Sequence, residues 1–159
     1  MGFQTQVNAR QAPAVAGDFA SANPRAAVVP PEDGFVAGAA GVTVGRFAWI
    51  QSDGVTVLNT GTGKPDGFIH REQQALISTY LAESGNNIPA GFPVTLMRTG
   101  DYYFKANTNA AVKGQKVFAK LADGTTRTGA AGATIAGFIE TDFVVSVACG
   151  SGELGVMSR

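Results

Sequence analysis

The alternation of apolar and polar residues changes character near residue 40. From Val42 onward, short runs of β-branched and aromatic residues are separated by turns of Gly, Asn and Asp at intervals of about ten residues. This spacing is typical of a β-sandwich or barrel, so we predict an all-β, jelly-roll-like fold. The predicted strands are 42–51, 55–58, 93–98, 102–106, 115–122, 133–141, 142–150 and 154–158. The first two are expected to form a hairpin around the turn Ser52–Gly54.

One segment has the spacing of a helix instead. Residues 70–84 place Leu76, Ile77, Tyr80 and Leu81 at intervals of three and four, after several good helix formers. The β-branched residues of ISTY and the strands on either side argue against a helix. We predict at most one short helix, around residues 72–83, and a strand is the alternative.

Residues 1–40 show neither the helix nor the strand period. They carry four of the seven prolines (Pro13, Pro24, Pro30 and Pro31), and each proline favours an extended residue before it. Disordered segments rarely hold aromatics such as Phe3, Phe19 and Phe35. We therefore predict an extended N-terminal arm over residues 1–40, ordered by a partner or by its own domain, and a jelly-roll-like domain over 41–159.

Composition narrows the classes of partner. Twelve basic residues balance twelve acidic ones, and charged residues make up only 15% of the chain, against about 25% in a usual soluble domain. With no like-charged run longer than Glu32-Asp33, we expect no specific nucleic-acid partner and no acidic membrane partner. No apolar stretch is long enough to span a bilayer, and the first ten residues lack a signal-peptide core. A surface so poor in charge suits a subunit that works in contact with others.

Motifs for catalysis and ligand binding are weak. The loop TGTGKPDG (Thr60–Gly67) only superficially resembles a phosphate loop. That motif requires Gly where this chain has Leu58, and Ser or Thr where it has Pro65. The sequence has no G-x-S-x-G motif that could supply a serine nucleophile to His70, the one histidine. We therefore interpret His70 as a hydrogen-bonded structural residue. The one cysteine, Cys149, excludes an internal disulfide and is read as a small hydrophobic residue. We predict no metal site and no cofactor.

Two further groups of residues could carry chemistry. Glu140 and Asp142 lie two apart, which on a strand places both on one face, where paired carboxylates can act as acid and base. The simpler interpretation puts both in solvent at a turn between two strands. Trp49, Tyr102 and Tyr103 could form a stacking platform, although a strand would point Tyr102 and Tyr103 in opposite directions. Core and interface roles are favoured for them.

Four segments together resemble a known family. They are GDFASANPRAAV (17–28), AGVTVGRFAW (40–49), GTGKPDGFIHREQQALISTYLAESGNNIPAGFPVTLM (61–97) and TIAGFIETDFVVSVACGSGELGVMS (134–158). In this order they resemble the structural cement, or capsid decoration, proteins of tailed bacteriophages. The resemblance implies a non-enzymatic jelly-roll-like protein, made in the host cytoplasm and carried on the outer surface of the virion head. Its implied partners are the major capsid protein and a second copy of itself, as a dimer on the capsid.

The arm then becomes the candidate partner-binding element. Its backbone costs about 1 to 2 kcal/mol per residue to order, so it needs many contacts, and prolines lower that cost. The candidate capsid-binding residues are Phe3, Val7, Phe19, Asn23, Pro24 and Arg25. Deletion of residues 1–25 is expected to abolish shell binding and to leave a folded domain.

A second hypothesis keeps the fold and changes the ligand. A jelly roll can also be a glycan- or receptor-binding surface module. Burial of Trp49 separates the two hypotheses, because a cement protein buries it and a stacking platform exposes it.

Overall fold

The computed structural model describes residues 14–72 and 86–159, which form fourteen β-strands and no helix. The all-β prediction is confirmed, whereas the helix expected around 72–83 lies outside the described residues except for Glu72. The strands are β1 (Ala26–Ala27), β2 (Phe35–Ala37), β3 (Val42–Thr43), β4 (Phe47–Ile50), β5 (Thr56–Leu58), β6 (Gly67–Ile69), β7 (Asn87–Ile88), β8 (Pro93–Val94), β9 (Leu96–Thr99), β10 (Asp101–Lys105), β11 (Lys116–Lys120), β12 (Thr126–Gly129), β13 (Phe138–Val147) and β14 (Leu154–Ser158).

One sheet has five strands, all antiparallel, in the order β10-β14-β13-β11-β12. Its longest strand, β13, replaces two strands that we predicted over 133–141 and 142–150, and the turn expected between them does not exist. Thr141, Phe143 and Val145 of β13 point inward, while Glu140 and Asp142 lie on the outer face. The polar pair in mid-strand resembled a turn because one face of the strand is partly solvated.

Strand β12 was not foreseen because its buried residues are threonines. Thr126 and Thr128 are both buried, and the hydroxyl of Thr126 donates to the carbonyl of Lys105. The Thr128 hydroxyl accepts from the side-chain amide of Asn109 at 3.1 Å. Because both threonine hydroxyls are hydrogen-bonded, their burial costs little free energy. The sequence of β12 therefore lacks the alternation of apolar residues that would have predicted a strand.

A second sheet has seven strands in the order β1-β9-β6-β4-β5-β2-β8. Only β2 and β5 run parallel; the other neighbours are antiparallel. β8 and β9 are separated by Thr95 alone, yet β8 is the last strand of this order and β9 is second from the other end. Because two residues span only about 7 Å, the sheet must curl back on itself. The single strand predicted over 93–98 is therefore two strands, and an open seam separates β8 from β1.

The hairpin predicted between 42–51 and 55–58 is confirmed in its second half. β4 pairs with β5 in the register Trp49–Leu58 and Ile50–Val57. β3 leaves the hairpin, because Gly45 with φ of 74° turns the chain, and it pairs instead with β7. Both β1 and β2 fall within the predicted arm and belong to the curled sheet; the division at residue 40 stays a prediction.

The buried side chains form two clusters on the two faces of the central strands. One cluster lies between the two sheets and holds Phe47, Trp49, Phe68, Tyr102, Phe104, Phe143 and Met157 among others. The other fills the inside of the curl and holds Phe35, Val42, Val57, Ile69, Ile88 and Leu96 among others. Because β4 contributes to both clusters, its sequence is continuously apolar instead of alternating.

Candidate functional site

Within the predicted arm, residues 14–28 lie along both sheets. The amide of Gly17 donates to the carbonyl of Tyr103 at 2.8 Å, and the Tyr103 amide donates to the Asp18 carbonyl at 2.9 Å. Farther on, β1 pairs with β9. The arm therefore covers the edge of the five-stranded sheet at β10 and then becomes the edge of the curled sheet. Residues 17–28 are thus hydrogen-bonded to strands of their own chain.

Phe19 joins the arm to the domain through its ring. The Arg25 guanidinium carbon lies 3.8 Å from the ring centroid, the His70 ring stacks at 4.7 Å, and the Tyr102 ring lies at 5.6 Å. His70 Nε2 is hydrogen-bonded to Glu72 Oε1 at 2.7 Å, and its Nδ1 lies 3.1 Å from the Arg71 carbonyl oxygen, so the histidine is hydrogen-bonded as the sequence indicates. The ring of Phe19 thus contacts a cation, an imidazole and a phenol of its own chain.

A second attachment is polar. Ser21 Oγ and Asn23 Nδ2 each donate to Oδ2 of Asp101 at 2.6 Å. The hydrogen bond from Ser21, assisted by Ser158 and Asn23, lowers the pKa of Asp101 below its usual range, although partial burial opposes it. Pro24 and Arg25 are exposed. Phe3 and Val7, the other candidate residues, lie outside the described residues.

The carboxylates of Glu140 and Asp142 share the outer face of β13, but different partners hold them. Glu140 Oε2 accepts from the Gly132 amide at 2.6 Å. Asp142 pairs with Lys64, and with Arg159 at 2.7 Å. The hydrogen bond from Lys64 is the largest influence that lowers the pKa of Asp142. An ionised, doubly paired carboxylate links three segments of chain and is poorly suited to exchange protons.

The glycine-rich loop packs its Gly61 and Gly63 against Trp49. Trp49 Nε1 donates to the Gly63 carbonyl at 3.0 Å, and a Cβ on Gly61 would lie 2.3 Å from the indole. Trp49 is only 4% exposed and Tyr102 is fully buried. Burial raises the pKa of Tyr102 to about 12, and its hydroxyl donates to the Thr99 carbonyl at 2.8 Å. These rings cannot stack on a glycan.

Residues 14–72 and 86–159 show little other binding chemistry. No three His, Cys, Asp or Glu residues there lie close enough together to hold a metal ion. None of the described residues forms a helix of the length and apolarity that crossing a membrane requires.

One surface combines apolar and charged groups around Val28. A groove of about 210 Å³ follows the seam of the curled sheet, and a cleft of about 290 Å³ adjoins it, with Val28 lining both. We call the two together the Val28 surface. The groove is lined by Ala27, Val28, Pro30, Gly34, Phe35, Pro93, Val94, Thr95 and Leu96. The cleft is lined by Val28, Lys64, Pro65, Asp66, Arg98, Asp142 and Arg159.

Exposed apolar residues accompany this surface. Val29, 87% exposed, and Phe92, 42% exposed, neighbour groove-lining residues in the chain. Val15, Val112 and Val147 are the other large apolar side chains that the described residues expose. Sequence reasoning placed the candidate residues in the arm and missed this surface, because only the curl of the sheet brings 27–35 and 93–98 together.

Comparison with known proteins finds a family and a similar fold. A family model described as XM1 gp53 minor capsid protein matches residues 3–155. A solved structure described as "The capsid of Myoviridae Phage XM1" has 17% sequence identity and a TM-score of 0.69, and the alignment covers 99% of this chain and 97% of that one. At this identity the likeness concerns the fold. No curated protein sequence matches the chain.

Proposed function

Because the chain belongs to the XM1 gp53 minor capsid protein family, we propose that it binds the outer surface of a tailed-phage head, bridges neighbouring major capsid subunits and stabilises the shell. Membership of the family makes it a structural protein of the virion. We propose further that it is made in the host cytoplasm, acts without catalysis and works as a dimer on the capsid.

The observation that carries the proposal is the attachment of the arm across both sheets. Residues 17–20 bond to β10 and residues 26–28 bond to β9, so this part of the arm is attached to both sheets. An arm that binds the capsid can stabilise the shell only if it is also firmly attached to the rest of its own protein. Contacts of Phe19, Asn23 and Arg25 provide this attachment.

Shell stabilisation follows from mass action. A protein that binds the assembled shell and not the separate subunits stabilises the shell by about 2.7 kcal/mol per site at a hundredfold excess over Kd. The contribution is repeated at every site on the shell. A dimer with two footholds adds avidity without further contacts.

The proposal is tested with purified, expanded phage shells from which this protein has been stripped. We expect the full chain to co-sediment saturably with the shells and to raise their disruption temperature. A folded protein that does not bind the shells, or that binds without raising the temperature, contradicts the proposal.

The arm is tested in the same assay by deletion. Removal of residues 1–25 would also remove Phe19 and uncover β10, so removal of residues 1–13 is the sharper variant. We expect this shorter deletion to weaken shell binding at least about tenfold, since it removes part of the arm and leaves the described contacts in place. Undiminished binding of a folded variant would show that these residues make no capsid contact.

A further inference from the structure

The Val28 surface lies where the curled sheet remains open. β1 and β8 are the two edge strands, and both are only two residues long. Pro93 on β8 lacks an amide proton, and the ladder between β1 and β9 is irregular at Ala26–Ala27. Short, proline-bearing edges resist the addition of another strand. A partner at this seam would therefore be held by side chains.

Charge is distributed unequally across the surface. On the cleft side, Lys64 and Arg159 share Asp142, and Asp66 accepts from the Ile50 amide, whereas Arg98 forms no ion pair within the described residues. Three cations and two carboxylates therefore line the cleft. On the groove side, Glu32 and Asp33 are exposed between Pro30 and Gly34, both of which line the groove. These two carboxylates likewise have no ion pair among the residues that the structure describes. An acidic flank and a basic flank thus border one apolar groove.

Such a surface is complementary to itself. We propose that the Val28 surface joins two copies of this chain about a two-fold axis, with Glu32 and Asp33 of each copy facing Arg98 of the other and Val29 packed between them. The proposal rests on the dimer named under the proposed function and assigns its interface. In a two-fold contact every pair occurs twice, so a surface with both signs of charge can satisfy itself.

An acidic partner of another kind fits less well. Glu32 and Asp33 would repel it at the groove while Arg98 attracted it at the cleft. A second copy presents the opposite charge to each flank. It would also cover Val29, which is the most exposed of the large apolar side chains in the described ranges.

The test is sedimentation velocity of the full chain over a range of concentrations. We expect a monomer–dimer equilibrium that Arg98→Glu weakens about a hundredfold, because each of two symmetric pairs contributes about tenfold. The double variant Glu32→Lys with Asp33→Lys should weaken it similarly. Combining all three substitutions restores opposite charges across the axis and should recover most of the lost affinity.

Matched controls carry the same change in charge elsewhere. Lys113→Glu reverses an exposed cation outside the Val28 surface and should leave the equilibrium unchanged. Val29→Asp should weaken the dimer, whereas Val112→Asp, at a position 57% exposed, should not. Circular dichroism and thermal unfolding verify that every variant is folded.

Several outcomes overturn the inference. They are a monomer at every concentration, a dimer indifferent to Arg98→Glu, equal weakening by Lys113→Glu, and failure of the triple variant to recover. Co-sedimentation with stripped shells separates this failure from that of the proposed function. If the chain binds shells but does not dimerise through this surface, only the proposed interface is contradicted. If it dimerises but does not bind shells, only the proposed capsid function is contradicted.

Discussion

At the scale of single residues, Phe19 shows how a side chain with no periodic context acquires its role. Its neighbours in the sequence are small or polar, and nothing local indicates a partner. In the fold its ring contacts Arg25, His70 and Tyr102. His70 and Tyr102 lie far from Phe19 in the sequence. Its half-buried ring therefore stabilises the attachment of the arm.

Truncation of this ring should loosen the arm. We expect Phe19→Ala to lower the free energy of unfolding by about 2 kcal/mol, less than the 3 to 5 kcal/mol of a fully buried Phe because the ring is only partly buried. Urea denaturation measures the change, at a low protein concentration at which self-association does not contribute. Phe92→Ala removes the same side chain from an exposed position and should cost less than about 0.5 kcal/mol. Equal losses would contradict the role given to Phe19.

At the scale of elements, the arm is held by an exposed network of hydrogen bonds on Asp101. Ser21 and Asn23 bind this carboxylate just before the arm turns to form β1. Asp101 opens β10 and lies directly after Gly100, at the corner between the two sheets. One ionised side chain therefore couples the arm to the point where the chain changes sheets.

This coupling predicts a dependence on pH. The pKa of Asp101 is lower in the folded chain than the value of about 3.9 in an unfolded one. Its contribution to stability is therefore complete above about pH 4 and is lost as the pH falls through the lowered pKa. An NMR titration of the Asp101 carboxyl carbon reports the pKa directly. Ser21→Ala, which removes the largest cause, should move it upward; an unchanged titration would refute the assignment.

At the scale of the whole molecule, the two sheets are joined by backbone contacts as well as by the aromatic core. The amide of Phe47 in β4 donates to the carbonyl of Gly124, in the turn between β11 and β12, at 2.9 Å. Gly124 has φ of 69°, and a Cβ there would lie 2.1 Å from the Phe47 carbonyl oxygen. The turn can approach the other sheet only because this residue has no side chain.

Substitution of this glycine should separate the sheets locally. Gly124→Ala is expected to cost at least about 2 kcal/mol, from the left-handed conformation together with the displacement of the backbone. Gly132→Ala provides a matched control, because Gly132 has φ of 73° but nothing lies within 4 Å of its Cβ position. The control should cost only the conformational penalty, about 1 kcal/mol. Thermal unfolding of both variants measures how much each substitution lowers the stability. Equal decreases in melting temperature would exclude a steric role for Gly124.

The sequence alone determined the all-β class, the β4–β5 hairpin, the structural reading of His70 and the family resemblance. These depend on local turn chemistry, composition and the order of segments, which need no knowledge of distant pairing. Only the tertiary structure decided that 93–98 splits into two strands, that β13 is continuous, and that buried threonines form β12. It also decided that Phe19 and Asn23 bind their own domain, and that the Val28 surface exists at all. Strand pairing and the curl of a sheet bring together residues far apart in the chain, and a local pattern of apolar residues does not record which distant strand it will meet.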